Sequence, residues 1–439
     1  MAILTVGPGQ QFATVAAAVA ASQDGDTIDV KAGTYVNDFA TIRDSITLQA
    51  VGGRVNLVAT QSPPDGKAIV TLGTATSNIT INGFSFSGAS VPDNNGAGIR
   101  YEGGTLTLNN DYFHDNQEGL LGGYSSPGVG TININHSEFA HNGAGDGYTH
   151  NLYVGDIAAL NINNSYFTNA VVGHEIKSRA ESTTINNTRI QDGPTGTASY
   201  DVDLPNGGNL SMHNDVVEKG PNAQNPIMIS YGEEGGLHAG STISITNDTF
   251  LNDDPSSSVV LLQNDGTGTA TISNDKTWGL SSSQIAHGAA NVSGVQALAS
   301  EPALDTSAPF TSGSTGSDSL VIKVTAATLG QAAAPRFAVA VGDQQVGGPL
   351  TVTAAAGQTE TFTLKGNWAA GTHHVLLHLL DAGAGAAMQV QGISWDGQSV
   401  SNHIAWNGQA LGHAGSMTLA GAQAFDSFHV TDTTAIAHS

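Results

Sequence analysis

Between residues 79 and 277 one pattern recurs: ITINGFSF (79–86), LTLNNDYF (106–113), ININHSEF (132–139), LNINNSYF (160–167), TTINNTRI (183–190), LSMHNDVV (210–217), ISITNDTF (243–250) and ATISNDKT (270–277). Successive starts lie 27, 26, 28, 23, 27, 33 and 27 residues apart, a period that speaks for stacked structural repeats. Each unit alternates apolar and polar residues and then turns on Asn, as a short strand bounded by a tight turn does. The turn column reads Gly83, Asn110, His136, Asn164, Asn187, Asn214, Asn247 and Asn274. Asn tolerates the left-handed backbone conformation, and its amide can bond to the same position one repeat on. The column therefore predicts a ladder of stacked turns and carries no chemistry. Units of this length, with three short strands each, predict an all-β fold: a right-handed parallel β-helix over residues 1–290.

Both ends of the repeat region look different. At the start, Phe12 to about Ser22 predicts a short amphipathic helix that covers the open end of the first coil, whose edge would otherwise be free to pair. The segment TVGPGQQFATVAAAVAASQDGDTIDVKAGTY (5–35) resembles the opening of the pectate-lyase-like superfamily, which implies the same architecture. Past residue 290 the period fades into a Pro/Ser/Gly-rich linker, 291–318, and strand patterns resume over 319–439 with the spacing of a small β-sandwich. Three stretches there, VIKVTA (321–326), AVAVGDQQVGGPLTVTA (338–354) and GTHHVLLHLLDA (371–382), resemble calcium-dependent xylan-binding modules. The resemblance implies sugar binding and makes Ca2+ a candidate cofactor through Asp381. The loop that follows, AGAGAAMQVQGISWDG (382–397), is short of the oxygen ligands a hard cation needs, so no metal ligands are assigned. The polar stretches at 246–255 and 263–268 read as turns.

Charge narrows the partners. The 439 residues hold 37 Asp and Glu against 13 Lys and Arg, a formal net charge of −24, which repels nucleic acid and anionic membranes. There is no Cys, so thiol catalysis and disulfides are excluded. The opening MAILTVGPGQQF shows no Sec leader, and no membrane span is expected. An acidic, Cys-free, Gly- and Asn-rich chain resembles substrates of bacterial type I secretion; the expectation is an extracellular monomer whose tail, AFDSFHVTDTTAIAHS, carries the address.

Scarce cations make their positions informative. Successive coils supply EGLLGG (118–123), HNLYVG (150–155), HEIKSR (174–179), YDVDLP (200–205) and IMISYG (227–232). With Leu152, Ile176, Val202 and Ile229 inward, strand alternation places Asn151, Tyr153, Glu175, Lys177, Arg179, Asp201, Asp203, Met228 and Ser230 outward. His150, His174, Tyr200, Asn206 and Tyr231 flank them, and Glu234 stands on the loop YGEEGGLHAG (231–240), one of four irregular loops that wall a groove. An exposed cross-strand ion pair is the plain alternative, but it does not explain why cations, His and Tyr gather together.

Such a set suits an acidic polysaccharide. A lyase neutralises the uronate carboxylate, removes the C5 proton and protonates the leaving oxygen, and Lys, Arg, Tyr and His can do all three. HEIKSRAESTTINNTRI (174–190) is similar to the segment around the catalytic lysine of the alginate lyase and chondroitinase B family, also β-helical. The likeness implies Lys177 as base, while the place of that family's catalytic arginine holds TyrAspValAspLeu (200–204). The expected roles are Lys177 as base or carboxylate clamp, Arg179 as clamp, Tyr153 or Tyr200 as proton donor, Glu175, Asp201 and Asp203 as orienting groups, His150 among the catalytic groups, and Asn151, Tyr153, His174, Asn206, Tyr231 and Glu234 as substrate contacts. Two alternatives stand beside the lyase: a glycoside hydrolase using Glu175, Asp201 and Asp203, and a non-enzymatic polysaccharide-binding matrix protein or adhesin.

Overall fold

The computed structural model describes residues 2–310 except 74–75 and 123–126, and from residue 318 onward the strand segments up to 431 with residues 352 and 358. It divides into two compact units, 1–305 and 306–439.

The first unit is a right-handed parallel β-helix. Every coil pairs in parallel with the coil before and the coil after. The strand Thr131–Asn135, for example, lies between Thr105–Asn109 and Ala159–Asn163. A five-residue leg, a turn and a shorter leg form one continuous sheet system; a separate ten-stranded sheet, from Ala40–Ile42 to Ala286–His287, forms the remaining face. Alternation sends Ile132, Ile134, Leu160 and Ile162 into a core that runs the length of the coil stack. Phe86, Phe113, Phe139 and Phe167 stack inside it with ring centroids 4.8, 4.5 and 4.8 Å apart and nearly parallel planes. That interval is the strand spacing itself, so each coil contributes one ring to a continuous apolar pile.

The turn column is left-handed as expected, with φ between 49° and 79° from Gly83 to Asn274. Its bonding differs from expectation. The residues of the column donate backbone N–H groups across coils, as from Asn110 to the Asn135 carbonyl and from His136 to that of Asn163. The amide ladder runs one position earlier, through Asn82, Asn109, Asn135, Asn163 and Asn186, each amide nitrogen donating to the preceding side-chain oxygen. A left-handed residue aims its side chain out of the turn, whereas the last strand residue faces its counterpart in register. A third column, Asp111, Ser137, Ser165, Thr188, Asp215, Asp248 and Asp275, accepts the backbone N–H of the coil before.

The capping helix spans Val15–Ala21, shorter than expected because Phe12 is drawn into a bridge with Val6. Thr14 caps it through Ala17 N–H, and Asp38 accepts the N–H groups of Val15 and Ala16. These bonds satisfy donors a helix start leaves free. Val15, Ala18 and Val19 close the coil end.

Among the described residues the second unit has two larger antiparallel sheets and a two-stranded one, Ala405–Trp406 with Gln409–Ala410. One centres on Asp318–Ala327 between Thr359–Gly366 and Ala387–Trp395; the other sets Thr372–Leu379 between Arg336–Val341 and Phe425–Thr431. Leu320, Ile322, Phe337, Val339 and Leu377 are buried, and Phe337 meets Phe362 edge to face at 5.2 Å, one ring from each sheet. This is a small β-sandwich. Asp381 and the calcium-loop residues 382–386, the GlnValGlyGly turn beyond Gln345, and residues 432–439 of the tail lie outside the described residues.

Candidate functional site

The ten-stranded sheet carries the site. Its register aligns Tyr153 with Lys177, Lys177 with Asp203, and Asp203 with Ser230, one outward column with successive rungs about 4.8 Å apart. A second column at or just before the start of the same strands holds Glu118, His150, His174 and Tyr200; His150 stacks on His174 at 4.4 Å, and His174 meets Tyr200 at a tilt, 4.8 Å between ring centres.

Lys177 Nζ stands 2.9 Å from Asp203 Oδ2 and 3.5 Å from Glu234 Oε1. Arg179 reaches Glu234 Oε2 at 2.7 Å through Nη2, donates from Nε to the Tyr153 hydroxyl at 2.9 Å, and donates from Nη1 to Asn206 at 2.5 Å. Both cations lie within 6 Å of the Tyr153 ring centre, at 5.9 and 5.7 Å. The loop that bears Glu234 folds back over Arg179: Asn206 donates to the Gly235 carbonyl, and the His238 ring nitrogen meets the Arg179 carbonyl at 3.0 Å. Tyr200 donates its hydroxyl proton to Glu233 at 2.9 Å.

The charges are set by depth. Asp203 is fully buried, and burial lifts its carboxyl to about 6 against the pull of Lys177. Burial, reinforced by Lys177, lowers His150 to about 3, and burial with His150 and Lys177 pushes His174 well below the usual imidazole range. Both rings are neutral at pH 7. His150 Nδ1 accepts the His174 backbone N–H and His174 Nδ1 accepts that of Tyr200, so the remaining proton of each sits on Nε2. His174 Nε2 then points at Asp203, 3.5 Å away. Burial raises Tyr200, and its bond to Glu233 raises it further, so the phenol keeps its proton. Arg179 is raised by Tyr153 and Glu234 against desolvation, and the two cations hold Glu234 low against the same penalty.

Seven residues expected at the surface are enclosed. Asn151, Glu175, Asp201, Asp203, Met228 and Ser230 are 0% exposed, and Tyr231 is 1% exposed. The strands here cover only Leu152–Val154, Ile176–Ser178 and Val202–Leu204. The chain bends immediately before them, so two consecutive residues face inward and alternation fails at 151, 175 and 201. Gly119, paired with the same column, shows the direction: a Cβ there would meet Phe139 and Asn142. Met228, expected outside, packs in the core, and Tyr231 follows Leu204 into it with its hydroxyl on the Gly208 carbonyl. Asn151 instead joins an interior ladder, Asn116 to Asn142 to Asn151 to Glu175, and Glu175 accepts the Ala170 N–H. With Glu175, Asp201 and Asp203 all enclosed, the carboxylates the hydrolase alternative needed cannot reach a sugar chain.

Sequence reasoning also passed over Lys219, Glu233 and Glu118. Lys219 is fully buried, 3.0 Å from Asp201 and 3.9 Å from Asp192, and donates to the Ser199 carbonyl at 2.5 Å, which braces the segment carrying Tyr200 from within. Desolvation opposes its charge, and Asp201 with Asp192 outweighs it. Its scarcity as a cation was the available signal. Glu118, raised by burial, accepts the His150 N–H. On the other sheet Ser85, His114 and Asp115 align at 3.1 and 2.7 Å in the order of an acyl-transfer relay. The hydroxyl there is buried and the carboxylate 67% exposed, the reverse of what a nucleophile needs.

Among the described residues no group of three or more His, Asp or Glu is arranged to hold a metal ion, and no helix is long and apolar enough to cross a membrane. No known protein family matches the chain, and no curated protein does. Solved structures similar to it include an alginate lyase from Paenibacillus sp. (16% identity over 67% of this chain and 99% of that one, TM-score 0.35). Pectate lyase Pel9A is similar at 17% identity over 72% and 83%, TM-score 0.36. The A-module of a mannuronan C-5 epimerase from Azotobacter vinelandii is similar at 13% over 65% and 94%, TM-score 0.33. At these values the chemistry rests on this chain's own side chains.

Proposed function

We propose that the chain is a polysaccharide lyase that cleaves an acidic bacterial or plant polysaccharide by β-elimination on the outer face of the ten-stranded sheet. One observation carries this reading: the exposed Glu234 carboxylate is held by Lys177 and Arg179 together, at 3.5 and 2.7 Å, beside two tyrosines. A uronate carboxylate that enters the groove meets the same two cations. Neutralised there, it stabilises the negative charge that develops when the C5 proton leaves.

The tyrosines divide the proton work. The Tyr153 oxygen accepts a hydrogen bond from Arg179 beside the two cations of the clamp, and in its phenolate form it takes the C5 proton. The C5 electrons form the C4–C5 double bond and the C4–O bond breaks. Tyr200, which holds its proton toward Glu233, protonates the departing oxygen. Lys177, paired with Asp203, serves as clamp rather than base, and His174 keeps Asp203 in place. The C-terminal sandwich adds sugar binding, and the acidic, Cys-free chain works outside the cell.

The test is a panel of uronate-containing polysaccharides read by absorbance near 235 nm, which reports the unsaturated product, and by reducing ends. Both rise for a lyase. Reducing ends alone mark a hydrolase, and binding without either marks a non-enzymatic module; each of those results overturns the proposal.

A further inference from the structure

The outward column continues below Tyr153. In register, Tyr153 pairs with Leu121 and Leu121 with Arg100, which places Arg100 three rungs from Lys177, about 14 Å along the stack. What gathers there repeats the arrangement around Glu234. Arg100 Nε lies 2.9 Å and Lys67 Nζ 3.1 Å from one carboxylate oxygen of Glu102, and the three side chains are 21%, 46% and 22% exposed. In a chain with 13 Lys and Arg, two Lys/Arg pairs stand on one sheet face, each sharing one glutamate, with Asp203 as a further partner of Lys177. Leu121, on the rung between Arg100 and Tyr153, packs with Ala68 and Ala97 into a small buried cluster beside the Tyr153 ring. The face thus carries two cation pairs set apart along the direction in which the coils stack.

A net charge of −24 makes this placement costly to explain as solvation, since acids around the surface are plentiful and cations are not. A periodic anion explains it. An extended hexuronate chain laid along the stack advances by roughly one sugar per rung, so the two pairs match carboxylates about three sugars apart. We infer that Lys67 and Arg100 form a second carboxylate subsite, which binds a uronate about three residues along the chain from the one held at Lys177 and Arg179. The inference rests on the proposed groove but not on the reaction.

Calorimetric binding of galacturonate and mannuronate hexamers and dimers tests it. A hexamer spans both pairs and a dimer does not. Wild type binds the hexamer tighter than the dimer by about tenfold or more, the worth of one charge-assisted contact. In a variant carrying Lys67→Gln and Arg100→Gln that ratio falls to near one while dimer affinity stays unchanged, which also shows the fold intact. A variant that keeps the ratio overturns the subsite. So does a variant that weakens hexamer and dimer equally, or a wild type that binds neither. Length-dependent binding without turnover leaves the subsite standing and removes the lyase; turnover with an unchanged ratio does the opposite.

Discussion

Asp203→Asn should make the protein more stable and the enzyme worse. The carboxyl titrates at about 6 in the fold, chiefly because it is buried, against about 3.9 for an unfolded Asp, a difference of about two units. The folded chain therefore holds this proton more tightly than the unfolded one. Its contribution is fully present below pH 4 and is lost as pH rises from about 4 through 6. At about 1.4 kcal/mol per unit, the ionised carboxylate costs the fold roughly 3 kcal/mol at pH 8, even with Lys177 at 2.9 Å. Asn keeps the shape and never ionises. Urea unfolding should find the variant about 3 kcal/mol more stable than wild type at pH 8 and indistinguishable from it at pH 4. Turnover should fall, because Lys177 loses the partner that fixes it. A variant less stable than wild type at pH 8, or equally displaced at both pH values, refutes the argument that this charge is held at an energetic cost for the sake of the site.

The same titration shapes activity: kcat/KM should rise with unit slope through about pH 6, and the limb should vanish in Asp203→Asn; a limb that persists assigns it elsewhere. Glu234→Gln removes the internal carboxylate that competes for Lys177 and Arg179, so KM for polymer should drop several-fold with stability changed by less than about 1 kcal/mol; a raised KM would make Glu234 a substrate contact instead. Tyr153→Phe should lower kcat by about 10² to 10⁴ with KM nearly kept, and a loss confined to KM would reduce the residue to a stacking platform.

The coil period was legible because each repeat must place Asn or Gly in a left-handed turn and an apolar residue in the core, and both demands recur in residue type. The shared column of Tyr153, Lys177 and Asp203 was legible too, since these residues lie within the regular part of their strands, although Asp203 is enclosed rather than exposed. Alternation misled at Asn151, Glu175 and Asp201, where a bend sets two neighbours inward together and polar side chains bond to one another inside the corner. No periodic rule carries that information. Tyr231 looked like a loop residue next to Gly232, yet its register partner is Leu204. The pairing of Lys67 and Arg100 on Glu102 was hidden because Lys67 and Glu102 are 35 residues apart in the chain and meet only across coils.

Turnover of Lys177→Ala, measured at 235 nm on a polymer that the wild type cleaves, tests the carboxylate clamp most directly. The geometry at Asp203, Glu234 and Tyr153 predicts a fall in kcat/KM of about 10² or more, as for loss of a donor that stabilises developing charge. An alanine variant that cleaves as fast as wild type contradicts it.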